Sequence, residues 1–322
     1  MTCILVFGWY NNFNIGDNLF IEAYQHLFPD FEFIFTESID VYKLKDVKTV
    51  FFGGGSFLLD DPNIAPKALK ILKNKKIFYI GIGVEANIHP VHLDLMSRAV
   101  LIATRSPDQL ERLKLINPNI RIIPDLVYAL QPKVKLSQKI NRSVLIMPNI
   151  IVVPQGIDPQ WKHAAWAYFK SEFTQFLDWL VDNDYHPSFF SMCSGKEMDD
   201  EWASSELIGH MKNRDRNYLL RSLSADIAAA TYLVSRYETV ITQRFHGIVL
   251  SEMTRTPYIA IHHHDKLKCS KPNEGIFLSY YNSSKQSFID AFNRAKVMNY
   301  VNVLPIDYHM FEGLVEEIKY LI

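Results

Sequence analysis

The segment Thr242–Gly247 (TQRFHG) combines a guanidinium and an imidazole where an apolar run gives way to a helical pattern. A planar guanidinium suits bidentate binding of a carboxylate or phosphate. In extended chain, Arg244 and His246 are two residues apart and would point the same way. A helix N-terminus favours the neutral form of an imidazole until an anion binds beside it. We expect Gly247 to leave space beside the ring, and the segment predicts an anion site with an acid–base group. The alternative is a capping His and a solvated Arg.

A second cation, Arg105, follows another apolar run and has the same capacity to bind a carboxylate or phosphate. Ser106 and Pro107 after it are typical of a helix N-cap and first helical position. We therefore expect Arg105 at the carboxyl end of a strand. The alternative is a surface Arg paired with Asp108 or Glu111.

Three glycine turns also join apolar runs to helical patterns: Gly8–Asn18 (GWYNNFNIGDN), Gly53–Ser56 (GGGS) and Gly81–Glu85 (GIGVE). Glycine allows close approach of a ligand, and successive N–H groups bind anions. We expect Asp17 or Asn18 to cap the first helix. The spacing is not GxGxxG, and GGGS lacks the Lys of a P-loop. The alternative for each segment is an ordinary tight turn.

The segment His262–Lys266 (HHHDK) does not predict a metal site, because adjacent residues on a strand point to opposite faces. Lys266 is a better candidate for anion binding, with Asp265 to orient it. Cys3, Cys193 and Cys269 are too scattered for a disulfide framework or a metal site.

Apolar runs that end in glycine and lead into helices recur through both halves, which is typical of parallel βαβ units. We predict an α/β protein of two Rossmann-like doubly wound domains facing across a cleft. The predicted domains are 1–135 and 136–304, joined by a polar linker at Leu130–Arg142, and 305–322 forms a final helix. Ligands of such sheets bind at the carboxyl ends of the strands, where the turns described above fall.

The composition restricts the class of ligand. The 322 residues carry 34 Lys+Arg and 35 Asp+Glu, a formal net charge of −1, which argues against a nucleic-acid ligand. Charged residues at 21% and aromatic residues at 13% describe an ordinary packed globule. The N-terminal apolar run is far shorter than the ~20 residues that span a bilayer. We expect a soluble, cytoplasmic-type protein; transient membrane-surface association and the oligomeric state stay open.

In order along the chain, these segments resemble the motifs of the polysaccharide pyruvyl transferase family. The segment Gly8–Asn18 (GWYNNFNIGDN) is similar to that family's Gly-aromatic-x-x-x-Asn-x-Gly-Asp pattern. Arg244–Gly247 resembles its Arg-x-His-Gly motif. His264–Lys266 resembles its aromatic-Asp-x-Lys pattern, shortened by one residue, so that Lys268 is the alternative to Lys266. The remaining matches are GGGS, GIGVE, Arg105-Ser106 and Pro124-Asp125.

The resemblance implies a glycosyltransferase-B-like fold whose last helix returns to the first domain. It also implies transfer of pyruvate from phosphoenolpyruvate to two hydroxyls of a sugar, in a cell-surface glycan or its precursor, with release of phosphate. Phosphoenolpyruvate is then a co-substrate, and no cofactor or metal is expected. The expected catalytic residues are Arg244, His246 and Lys266. The expected donor-binding residues, mostly in the second domain, are Arg105, Arg244, Phe245, His246, Gly247 and Lys266. The expected acceptor-binding residues, on the first domain's side, are Asn14, Gly16, Asp17, Gly54, Gly55 and Ser56.

Two other functions stay open. A glycosyltransferase of the same fold would bind a nucleotide-sugar, with Glu252 or Glu274 available for the ribose. A carbohydrate-binding protein would need no catalysis. Asp17 or Asp125 is a candidate base toward the acceptor. Four aromatic residues could stack on sugar rings or belong to the core: Trp9, Tyr10, Phe13 and Trp161.

Overall fold

The computed structural model describes residues 2–10, 13–56, 58, 62–84, 87–131, 138–149, 159–195, 198–214, 218–220, 226–262, 275–298 and 308–322. The chain forms two compact units. Unit 1 contains Met1–Asn12, Asp17–Leu130 and Pro305–Ile322, and unit 2 contains Phe13–Gly16 and Gln131–Leu304. The predicted boundaries at 135/136 and 304/305 lie outside the described residues.

Unit 1 is built on a parallel sheet of six strands. The strands are β1 (Thr2–Phe7), β2 (Phe31–Thr36), β3 (Thr49–Gly55), β4 (Lys76–Ile82), β5 (Leu101–Thr104) and β6 (Ile120–Ile122). The helices are α1 (Ile15–Leu27, whose first two residues cluster with unit 2), α2 (Val41–Leu44), α3 (Pro66–Leu72), α4 (Pro90–Ser97) and α5 (Leu110–Ile116), with 3₁₀ turns at Pro107–Gln109 and Leu126–Ala129. The strand order is β2-β1-β3-β4-β5-β6, so the order reverses between β1 and β3.

Unit 2 is built on a second parallel sheet. Its strands are β7 (Ser143–Met147), β8 (His186–Phe190), β11 (Tyr218–Leu220), β12 (Thr239–Thr242), β13 (Tyr258–His262) and β14 (Ile276–Ser279), and a short antiparallel pair comprises β9 (Ser194–Gly195) and β10 (Met198–Asp199). The helices are α6 (Pro159–Asp182), α7 (Asp200–His210), α8 (Ile227–Ser235), α9 (Phe245–Met253) and α10 (Lys285–Val297).

The second sheet has the order β11-β8-β7-β12-β13-β14. Counted along this unit alone, that order is 3-2-1-4-5-6, the Rossmann arrangement. Its switch point, where the strand order reverses, lies between β7 and β12. Because every strand pair is parallel, the strands are buried on both faces; Ser143–Met147 and Thr239–Thr242 are buried throughout.

The last helix, α11 (His309–Leu321), belongs to unit 1, as predicted. Its Glu317 pairs with Arg121 at 3.0 Å, and its Lys319 pairs with Asp30 at 2.9 Å. Lys76 donates to the Leu321 carbonyl at 2.8 Å. The predicted architecture of two Rossmann-like units with a returning helix is therefore confirmed. None of the described helices is long and apolar enough to cross a bilayer.

Candidate functional site

The strongest candidate lies at the switch point of unit 2, in the turn from β12 to α9. Arg244 is the N-cap residue of α9, and its N–H donates to the Thr242 hydroxyl at 2.9 Å. The helix begins at Phe245, so His246 lies in its first turn. The prediction that Arg244 and His246 share an extended segment is therefore wrong. The helical turn, not strand alternation, sets their relative direction.

Asp200 holds the Arg244 side chain. The guanidinium donates from Nε to Oδ2 at 3.0 Å and from Nη2 to Oδ1. The Asp200 side chain is fully buried and that of Arg244 is 11% exposed, which contradicts the alternative of a solvated Arg. Burial raises the pKa of the Asp200 carboxyl, and the charge and hydrogen bonds of Arg244 oppose that rise. Sequence reasoning missed Asp200, although the pair Asp199-Asp200 was a usable signal. Asp199 caps α7, which leaves the second carboxylate for another partner.

The turn is tied to both strands at the switch point. Gln243 donates its backbone N–H to the Met147 carbonyl at 2.9 Å, and its side-chain Oε1 accepts the Asn149 N–H at 3.0 Å. Gly247 has a packing role in the structure. A Cβ there would lie 2.8 Å from Met147 Sδ and 2.9 Å from Thr242 Cβ, so Gly247 lets α9 pack closely on β7 and β12.

Residues Phe13–Gly16 cluster with unit 2 and form a strap along residues 192–194. Ile15 donates its N–H to the Met192 carbonyl at 2.9 Å, and Ser194 donates to the Phe13 carbonyl at 3.1 Å. The first helix begins at Ile15, where Asn14 Oδ1 accepts the Gly16 N–H at 3.0 Å. The predicted cap at Asp17 or Asn18 is therefore wrong, and Asn14 has that role.

Gly16 packs directly against the His246 ring. A Cβ at residue 16 would lie 2.6 Å from Cε1 and 2.7 Å from Cγ of the imidazole. Its backbone is not in the left-handed region, so glycine is required here for space alone. Asn14 and Gly16, predicted as acceptor-binding residues of the first domain, thus lie in unit 2, and Gly16 adjoins the imidazole.

Unit 1 contains a second arginine site of similar construction. Arg105 follows β5, and its guanidinium pairs through Nη1 with Asp125 Oδ2. Nη2 donates to Ser56 Oγ at 3.3 Å. The Arg105 Cζ lies over the Phe20 ring, 5.9 Å from the ring centroid. The Arg105 side chain is 5% exposed, which contradicts the alternative of a surface pair with Asp108 or Glu111.

Asp125 and Ser106 have roles that the sequence did not predict. Asp125 is buried, and its second oxygen accepts the Val127 N–H at 3.0 Å. With both oxygens engaged, it does not suit the predicted role of a base toward an acceptor. The Ser106 hydroxyl makes no cap bond and instead accepts the Val84 N–H at 2.9 Å.

The glycine turns of unit 1 approach this arginine. Gly54 and Gly55 have φ values of 77° and 105°, which favour glycine. A Cβ at Gly83 would lie 3.1 Å from Arg105 Nε, and a Cβ at Gly55 would lie 3.6 Å from Asp17 Oδ1. Four of the predicted acceptor-binding residues therefore adjoin the carboxyl end of β3: Asp17, Gly54, Gly55 and Ser56.

The other predicted residues fall into three groups. Tyr10 is a core residue whose hydroxyl donates to the Gly53 carbonyl at 2.5 Å, and Trp9 is half-buried. Phe13 and Trp161 are 71% and 70% exposed. Six residues lie outside the described part of the chain: His263, His264, Asp265, Lys266, Lys268 and Glu274. Within the described part, no cluster of His, Cys, Asp and Glu could hold a metal ion.

Glu252 does not support a nucleotide-sugar site. It lies near the end of α9 and accepts the Tyr258 hydroxyl at 2.7 Å. Tyr258 is the first residue of β13, at the amino edge of the sheet. The switch-point turn lies at the opposite, carboxyl edge.

Comparison with solved structures shows the fold class of the chain. UDP-GlcNAc 2-epimerase from Methanocaldococcus jannaschii with UDP-GlcNAc and UDP is similar with a TM-score of 0.66 at 10% identity, over 99% of this chain and 100% of that chain. S. aureus MnaA with UDP is similar with a TM-score of 0.62 at 11% identity, over 100% of this chain and 97% of that chain. UDP-GlcNAc 2-epimerase from Neisseria meningitidis with UDP-GlcNAc is similar with a TM-score of 0.61 at 9% identity, over 99% of this chain and 100% of that chain. At this identity they show the fold alone, the two-domain α/β architecture of glycosyltransferase-B enzymes.

The family model of polysaccharide pyruvyl transferase matches residues 14–265. The chain therefore belongs to the polysaccharide pyruvyl transferase family, as its motifs predicted. No curated protein matches the chain.

Proposed function

We propose that this protein transfers the pyruvyl group of phosphoenolpyruvate onto two hydroxyls of a sugar, forming a cyclic ketal and releasing phosphate. The observation that carries the proposal is the placement of Arg244 and His246 together at the switch point of a Rossmann-like sheet, where ligands of this fold bind. Membership of the pyruvyl transferase family supports the same reaction.

Phosphoenolpyruvate is a small ligand with a carboxylate and a phosphate. A guanidinium whose orientation is fixed can bind either group with two parallel hydrogen bonds. Arg244 has this fixed orientation because Asp200 engages both Nε and Nη2. Arg105, held by Asp125, is proposed as the second donor-binding arginine. Lys266 is proposed as a further cation.

In the proposed chemistry, His246 protonates the methylene carbon as general acid. The electron pair of the C=C bond takes that proton, and a sugar hydroxyl oxygen bonds to the adjacent, electron-poor carbon. The bond from that carbon to the phosphate oxygen then breaks, and phosphate leaves with the electron pair. A second hydroxyl closes the ketal. One hydroxyl proton leaves with the phosphate and the other restores the imidazolium, so no cofactor is consumed.

The test is phosphate release from phosphoenolpyruvate across a panel of acceptor glycosides. Arg105→Ala, Arg244→Ala and His246→Ala should each lower the rate by ~10²–10³-fold or more, because the arginines stabilise developing charge and the histidine supplies the proton. His210→Ala is the matched control, since His210 is exposed on α7. Full activity in two of the three site variants would contradict the proposal.

A nucleotide-sugar glycosyltransferase is the second candidate, because the similar structures contain UDP or UDP-GlcNAc. Thermal shift separates the two. A ligand that binds only the folded state raises the melting temperature by mass action. We expect phosphoenolpyruvate to raise it and UDP to leave it unchanged; the reverse result would favour the second candidate.

A further inference from the structure

We propose that Asp200 is a positioning residue that fixes both Arg244 and the strap Phe13–Gly16 that packs against His246. The inference rests on the proposed function for the reaction it serves. Its structural basis is independent, because one buried carboxylate accepts hydrogen bonds from the arginine and from the backbone that holds the strap.

The first contact is the fork with Arg244. Asp200 uses both carboxylate oxygens, one toward Nε and the other toward Nη2. This geometry fixes the plane of the guanidinium. An arginine that is already ordered loses less side-chain entropy when a ligand binds.

The second contact runs through the backbone. Asp200 Oδ2 also accepts the N–H groups of Met192 and Cys193, each at 3.0 Å. Across the chain, the Met192 carbonyl accepts the Ile15 N–H, and Asn14 forms an isolated bridge with Cys193. Gly16, which follows Ile15 in the chain, touches the His246 imidazole. The same carboxylate therefore orients the arginine and supports the backbone beside His246.

Fold stability alone does not account for this arrangement. A buried ion pair adds little net stability compared with apolar packing, because desolvation offsets the attraction. Asp178 provides a matched comparison within the same unit. It is also buried, and its Oδ1 accepts the N–H groups of Lys212 and Asn213 at 2.8 and 3.1 Å. Among the described residues, Asp178 pairs with no arginine, and it lies near the end of α6.

The first experiment compares Asp200→Asn with Asp178→Asn. We expect Asp200→Asn to lower kcat/KM for phosphoenolpyruvate by about 100-fold, the cost of misplacing a reacting group by about 1 Å. Asp178→Asn should leave it unchanged. In a double-mutant cycle, the effects of Asp200→Asn and Arg244→Gln on kcat/KM should be less than additive, because Asp200 acts in part through that guanidinium. Additive effects in that cycle would overturn the proposal.

The second experiment does not depend on activity. Hydrogen exchange should speed up at Ile15 and Cys193 in Asp200→Asn but not in Asp178→Asn. Unchanged exchange at both amides would overturn the proposal for the strap. If Asp200→Asn does not fold, Arg244→Lys tests the fork, because it keeps the charge and loses the bidentate geometry; wild-type kcat/KM in that variant would overturn the proposal. Wild-type protein that releases no phosphate with any acceptor would refute the proposed function, while the exchange result would still decide the role of Asp200.

Discussion

Replacement of Gly16 by alanine tests whether the strap sets the position of His246. The new methyl group would lie 2.6 Å from Cε1 and 2.7 Å from Cγ of the imidazole, where ordinary contact begins at 3.4 Å. The ring must therefore retreat by roughly 1 Å, and a displacement of that size costs about 10²-fold in rate when the group takes part in the chemistry.

Gly16→Ala should change the free energy of unfolding only modestly, whereas it should lower the rate strongly. Alanine is favoured over glycine in a helix by up to about 1 kcal/mol, and overpacking a tight contact costs ~1–3 kcal/mol. We expect Gly16→Ala to lower the free energy of unfolding by about 1–2 kcal/mol, the balance of these opposing effects. Urea denaturation gives the stability, and phosphate release from phosphoenolpyruvate gives the rate.

Gly209→Ala is the matched control, because nothing lies within 4 Å of a Cβ at that helical position. It should raise the free energy of unfolding by roughly 0.5–1 kcal/mol and leave the rate unchanged. Wild-type phosphate release in Gly16→Ala would refute the reasoning. So would a loss of activity that only matches the fraction of unfolded protein.

Three further predictions concern stability and are measured by denaturation. Arg105→Ala leaves the buried Asp125 carboxyl without its guanidinium and should lower the free energy of unfolding by ~3–5 kcal/mol. The control Arg98→Ala removes an exposed ion pair with Asp94 and should lower it by less than about 1 kcal/mol. Equal losses in the two variants would contradict this prediction. Burial lowers the pKa of His92 from 6.5 to about 4, so wild-type stability should fall as the pH drops through this range, by on the order of 3 kcal/mol, because the unfolded state binds the proton first. His92→Gln should show a shallower fall, and an identical pH profile would contradict the assignment. The fully buried Ser191 hydroxyl has no hydrogen-bond partner within the described chain, so Ser191→Ala should raise the melting temperature; a lower one would be the contrary result.

In the second sheet, the sequence predicted three central strands with their observed bounds and missed both edge strands. Ser143–Met147, Thr239–Thr242 and Tyr258–His262 have the predicted bounds, because strands buried on both faces read as continuous apolar runs. The edge strands Tyr218–Leu220 and Ile276–Ser279 were not predicted. In the first sheet, by contrast, the edge strand Phe31–Thr36 was predicted over Phe31–Phe35, because its apolar residues alternate at period two.

By itself, the sequence determined the fold class, the family and the turns at which its candidate residues lie. Apolar runs, glycines and motif order are local patterns, and they can be recognised in the amino-acid sequence alone. The tertiary structure decided which groups face each other. It paired Arg244 with Asp200 and Arg105 with Asp125, and it placed Gly16 against His246. These partners lie in different segments of the chain, and only the tertiary fold brings them into contact. A charged residue in a turn therefore indicates a candidate site, while its orientation and neutralisation depend on a carboxylate whose pairing with that residue no local pattern determines.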